Sequence, residues 1–363
     1  MNEIDHSFLP QNSMKNAAGP HRCAAGLLWG LRILGLALLI GLTGQTESLQ
    51  AQELFPVDAD VQTVASTRDL TIYRVGKADP DEPAVVLLDP VLFRPNILFR
   101  KNGLIPTFRS NDYNVYLMLW HNGREVHPDE PEQEGAEMEK ALALIRTDCG
   151  CQSFVLGGLS LGGQRWLPYL SRLATKGDSM EDRRGNVIDA VFFLGVGLDY
   201  SYPQSLYNRN SPIGQDLSHN CETTEAPCLS FIGTKYFAAG LRLNRIPEPV
   251  APTDLATIRM YPAIQSMTIP GAFIYGKIDG FSPEESIYPI YRAWGAETYI
   301  GKARSEFAPY DSDNPALWLE LSEANLEEDF NHFDLFLHPD ADDAIYEPLI
   351  DWIEDAERQS NYP

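Results

Sequence analysis

The sequence predicts an α/β fold in which a mostly parallel sheet is covered by helices on both faces. Short apolar runs rich in β-branched and aromatic residues recur along the chain, and segments with helical periodicity lie between them. The runs are nearly continuous in apolar residues, which is typical of parallel strands buried on both sides. With 363 residues, 44% of them hydrophobic, the chain can bury a sizeable core.

Predicted strands and helices follow one another from residue 70 onward. The strands are LTIYRV (70–75), AVVLLD (84–89), YNVYLMLW (113–120), SFVLGG (153–158), AVFFLGV (190–196) and GAFIYG (271–276). The helices are AEMEKALALI (136–145), a segment from about Gly162, PEESIYPIYRAW (283–294) and a last one around DDAIYEPLIDWI. In the last helix Ile345, Leu349 and Trp352 share one side, and Pro348 predicts a kink.

Residues 198–268 interrupt this pattern. They separate two predicted strands by about 70 positions, far more than an ordinary connection. The segment is rich in tyrosine and phenylalanine. We expect an inserted cap over a site at the strand ends. A surface insertion without a functional role is the alternative.

The first 51 residues predict a targeting segment. The apolar run GLLWGLRILGLALLIGLTG follows Lys15 and Arg22, and Arg32 leaves an apolar stretch too short to span a bilayer comfortably. We expect a secretory signal peptide over 1–51, cleaved after Ala51, with an uncleaved anchor as the alternative. Residues 52–363 would then form the domain, exported to the periplasm or the extracellular space.

Charge and cysteine content bear on partners and metals. A formal net charge of −23 without a basic patch argues against nucleic acid, and membrane contact is expected only through an uncleaved N-terminal segment. Of the cysteines beyond the signal, Cys221 and Cys228 are the favoured pair, whereas the pairing of Cys149 with Cys151 stays open because a single residue separates them. Metal-ligand spacings such as CxxC or HxxxH are lacking, and His121 and His127 are interpreted as loop residues near the rim of the site.

The segment FVLGGLSLGGQ (154–164) surrounds Ser160 with glycines. Gly158-Leu159-Ser160-Leu161-Gly162 follows an apolar strand and opens a predicted helix, the context in which a nucleophile elbow holds a serine on a strained turn. Glycines on either side leave room for the turn and for substrate. An idle serine in a glycine-rich turn is the alternative interpretation.

A serine hydroxyl needs a general base that is oriented by a carboxylate. Asp279 follows the strand GAFIYG, and of the histidines only His332 and His338 lie downstream of it. We favour His332 because His338 lies beyond an apolar run, and Asp199 is the competing acid. Asp334 is interpreted as structural. The residues RSEFAPYDSDNPALWLEL between Asp279 and His332 are expected to contain an inserted excursion, which weakens the placement of the last strand.

An oxyanion hole is also required, because negative charge develops on the carbonyl oxygen during attack. One donor is expected to be the backbone N–H of Leu161. The second is expected from the loop that follows the early strand in AVVLLDPVLFRP, where Val91 is preferred and Leu92 is the alternative. Pro90 has no N–H to donate.

Several of these segments resemble the α/β-hydrolase superfamily, and within it the branch of polyhydroxyalkanoate synthases and acid-lipase-like hydrolases. They are LLDPVLFRPNIL, YNVYLMLWHNGR, GGLSLGGQ, YGKIDGFSPEES and HFDLFLHPDADDAIYEPLIDWI. The resemblance implies an α/β-hydrolase fold with Ser160 as nucleophile, Asp279 as acid and His332 as base. Polyhydroxyalkanoate synthases carry cysteine as nucleophile and use cytosolic acyl-CoA, whereas this chain has serine and a predicted export signal. Asp89-Pro90 replaces the usual His-Gly, which leaves the second oxyanion donor open.

Together these features predict an exported serine hydrolase of carboxylic esters that needs no metal or organic cofactor. The aromatic cap favours an apolar acyl group, a lipid or an aliphatic polyester oligomer as substrate. A serine acyltransferase and a peptidase on the same fold are alternatives. A non-catalytic binding protein is another, and it would not need Ser160 and His332 to converge.

Overall fold

The computed structural model describes residues 55–360 with internal gaps. The residues left out within that span are 68–69, 89–94, 121–130, 175–180, 183, 198–266, 280–281, 283, 285–286, 289–290, 292–293, 295–306, 312–314, 324–325 and 327–328. The predicted signal peptide and nearly all of the predicted cap therefore lie outside the described residues. Among the helices in the described ranges, none is both long enough and apolar enough to cross a membrane.

A mostly parallel sheet forms the centre of the described fold. Its strands are β1 (Val61–Ser66), β2 (Leu70–Val75), β3 (Ala84–Leu88), β4 (Asn114–Trp120), β5 (Ser153–Leu159), β6 (Val187–Leu194), β7 (Gly271–Gly276) and β8 (Ala316–Leu321). They are arranged in the order β1-β2-β4-β3-β5-β6-β7-β8. Strand β2 is antiparallel to both neighbours, and every pair from β4 to β8 is parallel. This is the sheet of the α/β-hydrolase fold, as the sequence predicts.

Helices cover both faces of the sheet. They are α1 (Leu104–Ser110), α2 (Pro131–Cys149), α3 (Trp166–Ala174), α4 (Asp334–Leu337) and α5 (Glu347–Ser360). Successive side chains of a strand point to opposite faces, so in β3 Val86 joins a core cluster with α2 and α3, while Val85 joins a second one with α1 and α5. Burial on both sides explains why the central strands are apolar throughout.

The last strand lies where the sequence left its placement open. Within the residues expected to contain an inserted excursion, Ala316–Leu321 pairs with β7 along its whole length. Strand β8 is the last in the described order, and its charged Glu320 accepts hydrogen bonds from Lys277 (2.9 Å) and the Tyr275 hydroxyl (3.1 Å). A strand at the edge of a sheet can carry a charge that a central strand would have to bury, which is why its sequence pattern is less evident.

The final helix accommodates Pro348 through a local change of helix type. A π-helical turn, Asp342–Tyr346, precedes α5. Proline cannot donate to the carbonyl four residues earlier, here that of Ala344, and its ring crowds that carbonyl. Widening the turn at this point relieves the crowding. Ile345, Leu349 and Trp352 are all buried.

A disulfide joins Cys149 to Cys151 between α2 and β5. The sequence left this pairing open because of the short spacing. The intervening Gly150 has φ +74°, in the left-handed region that glycine adopts readily, and this lets the chain turn back on itself between the two cysteines. Cys221 and Cys228 lie outside the described residues.

Two acidic side chains lie close together near the start of β6. Burial raises the pKa of Asp189 to about 6, partly offset by a hydrogen bond with Ser153. Burial and the nearby Asp189 charge raise the pKa of Glu357 in α5 to about 7, partly offset by a hydrogen bond from Tyr113. Both carboxyls therefore bind a proton more readily in the folded chain than in the unfolded one.

This pair predicts a stability that falls as the pH rises. The stabilisation from proton binding is present at low pH and is lost as the pH rises through about 6 and about 7, the folded-state values of Asp189 and Glu357. Replacing Glu357 by Gln removes the buried charge, so the free energy of unfolding should increase by about 1 kcal/mol at pH 8 and change little at pH 4. Urea denaturation at both pH values measures this.

The matched control is Asp351→Asn, which changes an exposed carboxylate on the same helix that is not among the charges acting on Glu357. It should leave the pH dependence of unfolding as it is in the parent. A Glu357→Gln protein with the parent's pH dependence would contradict the assignment.

Candidate active site

Ser160 stands on a sharp turn between β5 and α3. Strand β5 ends at Leu159, and Ser160 opens a short 3₁₀ segment, Ser160–Arg165, that continues into α3. Ser160 has φ +48°, in the left-handed region that a residue with a side chain rarely adopts. Such backbone strain persists only where the surrounding structure enforces it. A strained serine between a strand and a helix is the geometry of a nucleophile elbow.

The glycines around Ser160 leave room for two backbone segments to touch. A Cβ atom on Gly158 would lie 2.9 Å from the Cα of Gly163. A Cβ atom on Gly163 would lie 2.5 Å from a methyl group of Val196 and 2.8 Å from the Cα of Gly158. The 3₁₀ segment therefore packs directly on the strand that precedes it, which larger residues would prevent.

Ser160, His332 and Asp279 form a chain of hydrogen bonds. The Ser160 Oγ lies 2.8 Å from His332 Nε2, and His332 Nδ1 lies 2.9 Å from Asp279 Oδ2. The tautomer that carries its proton on Nδ1 satisfies both contacts, since Nδ1–H donates to the carboxylate and Nε2 accepts from the serine hydroxyl. The three residues expose 1%, 0% and 4% of their surfaces.

The loop after β7 fixes the carboxylate of Asp279. The backbone N–H of Asp279 donates to the Gly276 carbonyl (3.0 Å), which closes a tight turn. The N–H of Ser282 donates to Asp279 Oδ1 (2.7 Å), while Oδ2 accepts from His332. Both carboxylate oxygens thus have hydrogen-bond partners, as a buried charge requires.

A reciprocal cap holds the backbone on either side of His332. Asn331 Oδ1 accepts the N–H groups of Phe333 (2.7 Å) and Asp334 (3.1 Å), and Asp334 Oδ2 accepts the N–H of Asn331 (2.8 Å). This reciprocal bonding is like that of a capping box, formed here by Asn331 and Asp334 across the turn that leads into α4. Asp334 thus binds the backbone of the turn that carries His332, in line with its structural interpretation.

Aromatic side chains surround the imidazole. The rings of Phe333 and Phe336 lie edge-on to that of His332, at centroid distances of 6.0 and 5.9 Å. Apolar groups here exclude water and strengthen the electrostatic interactions within the site.

The other candidate residues have different positions. Leu161 lies in the 3₁₀ segment directly after Ser160, where an elbow places the N–H of an oxyanion hole. The ring centroids of His338 and Phe330 lie 4.6 Å apart, and His338 Nδ1 accepts a hydrogen bond from the N–H of Asp340. The histidine that is hydrogen-bonded to Ser160 is His332. The candidates outside the described residues are Val91, Leu92, Asp199, His121 and His127.

Sequence reasoning missed two residues that support the site. The N-x-x-D spacing of Asn331 and Asp334 is a detectable capping signal, because the pattern lies directly before an apolar helical run. Ser282 had no such signal, since its contacts depend on the folded loop. Among the residues the structure describes, there is no group of three or more His, Cys, Asp or Glu side chains suited to holding a metal ion.

The arrangement can carry out nucleophilic catalysis. His332 can accept the proton of the Ser160 hydroxyl as that oxygen attacks an electrophile, and Asp279 stabilises the imidazolium that forms. The following turn and helix direct their N-terminal positive potential toward charge that develops near Ser160.

No family model and no curated protein matches the chain. Solved structures that resemble it include hydrolases. They include carboxylesterase CesB from Bacillus subtilis (13% identity, 86% of this chain and 98% of that one, TM-score 0.48), an α/β hydrolase superfamily protein from Enterococcus faecalis (16%, 82% and 98%, 0.48) and the meta-cleavage product hydrolase CumD from Pseudomonas fluorescens IP01 (10%, 77% and 94%, 0.45). At these identities the similarity concerns the fold alone.

The close backbone contact predicts that Gly163→Ala damages the elbow. The added methyl group would meet Val196 and the backbone of Gly158, so the free energy of unfolding should fall by about 1–3 kcal/mol. Displacement of Ser160 should reduce turnover roughly 100-fold. Urea denaturation and steady-state kinetics measure the two effects.

The matched pair for this test is Val196→Ala alone and in combination with Gly163→Ala. Val196→Ala should keep most of the turnover, because it leaves the glycine contact intact. The double variant should stay impaired, since the clash with Gly158 remains. Recovery of full turnover in the double variant would show that the backbone contact is unimportant.

The capping box predicts a loss of stability and turnover in Asn331→Ala. Two backbone N–H groups would lose their acceptor, which should cost about 1 kcal/mol of stability. Because the same turn carries His332, the substitution should lower kcat by a larger factor than it changes KM. Asn331→Ser, which retains a capping oxygen, should lie between Asn331→Ala and the parent in both quantities, and equal effects of the two substitutions would contradict the capping role.

Proposed function

We propose that the protein is a serine hydrolase that cleaves carboxylic esters through an acyl-enzyme on Ser160. The observation that carries this proposal is the buried chain of hydrogen bonds from Ser160 Oγ through His332 to Asp279, at 2.8 and 2.9 Å. The strained conformation of Ser160 supports it, because an idle serine in this turn would gain nothing from the strain.

The proposed reaction proceeds in two halves. Ser160 Oγ attacks the acyl carbonyl while His332 Nε2 takes up the hydroxyl proton, and His332 then returns the proton to the departing alcohol. In the second half His332 removes a proton from water, which attacks the acyl-enzyme. The acyl-oxygen bond to Ser160 then breaks, and His332 returns that proton to the serine oxygen.

Stabilisation of the oxyanion is assigned to backbone N–H groups. The proposed donors are those of Leu161, directly after the nucleophile, and Val91, after β3. Each such donor contributes about 3 kcal/mol to lowering the barrier. The sheet supports this assignment, since Leu88, the last residue of β3, pairs with Gly158 near the end of β5.

The proposed substrates are esters of apolar acyl groups, including lipids and aliphatic polyester oligomers. The segments that resemble the branch of polyhydroxyalkanoate synthases and acid-lipase-like hydrolases support this choice, as do the aromatic residues of segment 198–268. Serine in place of cysteine at residue 160, together with the predicted export signal, favours hydrolysis over polymer synthesis from acyl-CoA. We place the protein in the periplasm or outside the cell.

Hydrolysis of p-nitrophenyl esters from acetate to palmitate by the full chain tests the proposal. The parent should release p-nitrophenol, and Ser160→Ala should lose turnover by a factor of roughly 10⁴ or more while remaining folded. The dependence on chain length measures the acyl preference. Undiminished activity in Ser160→Ala would identify another nucleophile, and a folded parent without turnover would exclude ester hydrolysis on these substrates.

A further inference from the structure

Ser282 makes two buried hydrogen bonds that join separate parts of the site. Its backbone N–H donates to Asp279 Oδ1 (2.7 Å), and its hydroxyl donates to the carbonyl oxygen of Gly195 (2.7 Å). Ser282 exposes only 2% of its surface, and its own side chain lies outside the Ser160–His332–Asp279 chain. The loop that carries the acid is thereby attached to the end of β6.

Gly195 forms part of the wall against the imidazole of His332. A Cβ atom on Gly195 would lie 3.1 Å from His332 Cε1 and 3.2 Å from Nδ1, so there is little room for a side chain between the glycine backbone and the ring. Its φ of +59° and its N–H bond to the Ile274 carbonyl (2.9 Å) hold it in that position. A shift of Gly195 would therefore change the space available to the ring.

We infer that Ser282 is a positioning residue, which holds Asp279 and the Gly195 wall in a fixed relation to His332. This inference rests on the proposed function, in which His332 acts as the base. The N–H of Ser282 binds Oδ1 of the acid, while the imidazole binds Oδ2. Its hydroxyl holds the loop of Asp279 at a fixed distance from the backbone of Gly195, which lies beside the ring. The contact between His332 Nδ1 and Asp279 Oδ2 therefore stays short, and Gly195 limits the movement of the ring.

The hydroxyl is the group that can be removed without disturbing the backbone contact to Asp279. In Ser282→Ala the N–H to Asp279 Oδ1 can remain, while the bond to the Gly195 carbonyl is lost. Without that bond the loop of Asp279 is held less firmly to Gly195. Asp279 then stabilises the protonated imidazole less, because this stabilisation depends on the distance and direction of the carboxylate.

The first test is kinetic and uses the full chain. Ser282→Ala should lower kcat roughly tenfold with KM changed less than about twofold. The acid limb of its kcat/KM profile should move to lower pH by about half a unit. The near-isosteric Ser282→Cys, which retains a weak donor, should fall between the parent and Ser282→Ala in both respects.

The second test does not depend on turnover. The proton on His332 Nδ1, held against Asp279, gives a far-downfield proton NMR resonance, which is assigned by its disappearance in His332→Gln. In Ser282→Ala this resonance should broaden or move upfield. The matched control is Thr107→Val in α1, which removes a buried hydroxyl bonded to the Gly103 carbonyl and should leave the resonance unchanged.

The outcomes separate the two proposals. If the parent cleaves no ester but Ser282→Ala alters the His332 resonance, ester hydrolysis fails and the positioning role stands. If Ser282→Ala lowers the melting temperature but leaves the resonance and the acid limb unchanged, Ser282 has only a structural role and the inference is overturned. Should Ser282→Ala fail to fold, the same readouts on Ser282→Cys decide between these results.

Discussion

The backbone of the strand that leads to Ser160 lies against the backbone of the turn that follows it, and only glycine permits this approach. Gly158 and Gly163 would collide if either carried a Cβ atom. The contact holds the turn so tightly that Ser160 occupies the left-handed region. The position of its hydroxyl, and therefore every distance along the hydrogen-bond chain, depends on this contact.

A second constraint comes from burying charge beside the core. Asp279, His332 and Asp334 are all nearly inaccessible to solvent. Such groups destabilise a fold unless their hydrogen bonds are satisfied. Backbone N–H groups supply much of what is needed: that of Ser282 binds Asp279, and that of Asn331 binds Asp334. The same bonds that make burial tolerable also fix the orientation of the side chains, so stability and catalytic geometry have one origin here.

The sequence predicted the sheet and the region of the site because those features follow local rules. Central strands are apolar throughout since both of their faces are buried, and residues after parallel strands share one edge, so Ser160 and Asp279 could be placed near each other. Strand β8 was missed because an edge strand tolerates Glu320. The bond from Ser282 to Gly195 joins residues 87 positions apart, and no local pattern encodes it. Contacts of this kind depend on how two loops meet in space.

The two ends of β6 place buried carboxyl groups in different surroundings. Near its start, burial favours the protonated forms of Asp189 and Glu357, and the Asp189 charge adds to the effect on Glu357. Beyond its other end, Asp279 faces the Nδ1 of His332 and the N–H of Ser282, so both of its oxygens have hydrogen-bond partners. An acid that orients a base must be held in place, and the fixed donors around Asp279 do this. Gly195, by accepting the Ser282 hydroxyl and lying against His332, connects those donors to the rigid sheet.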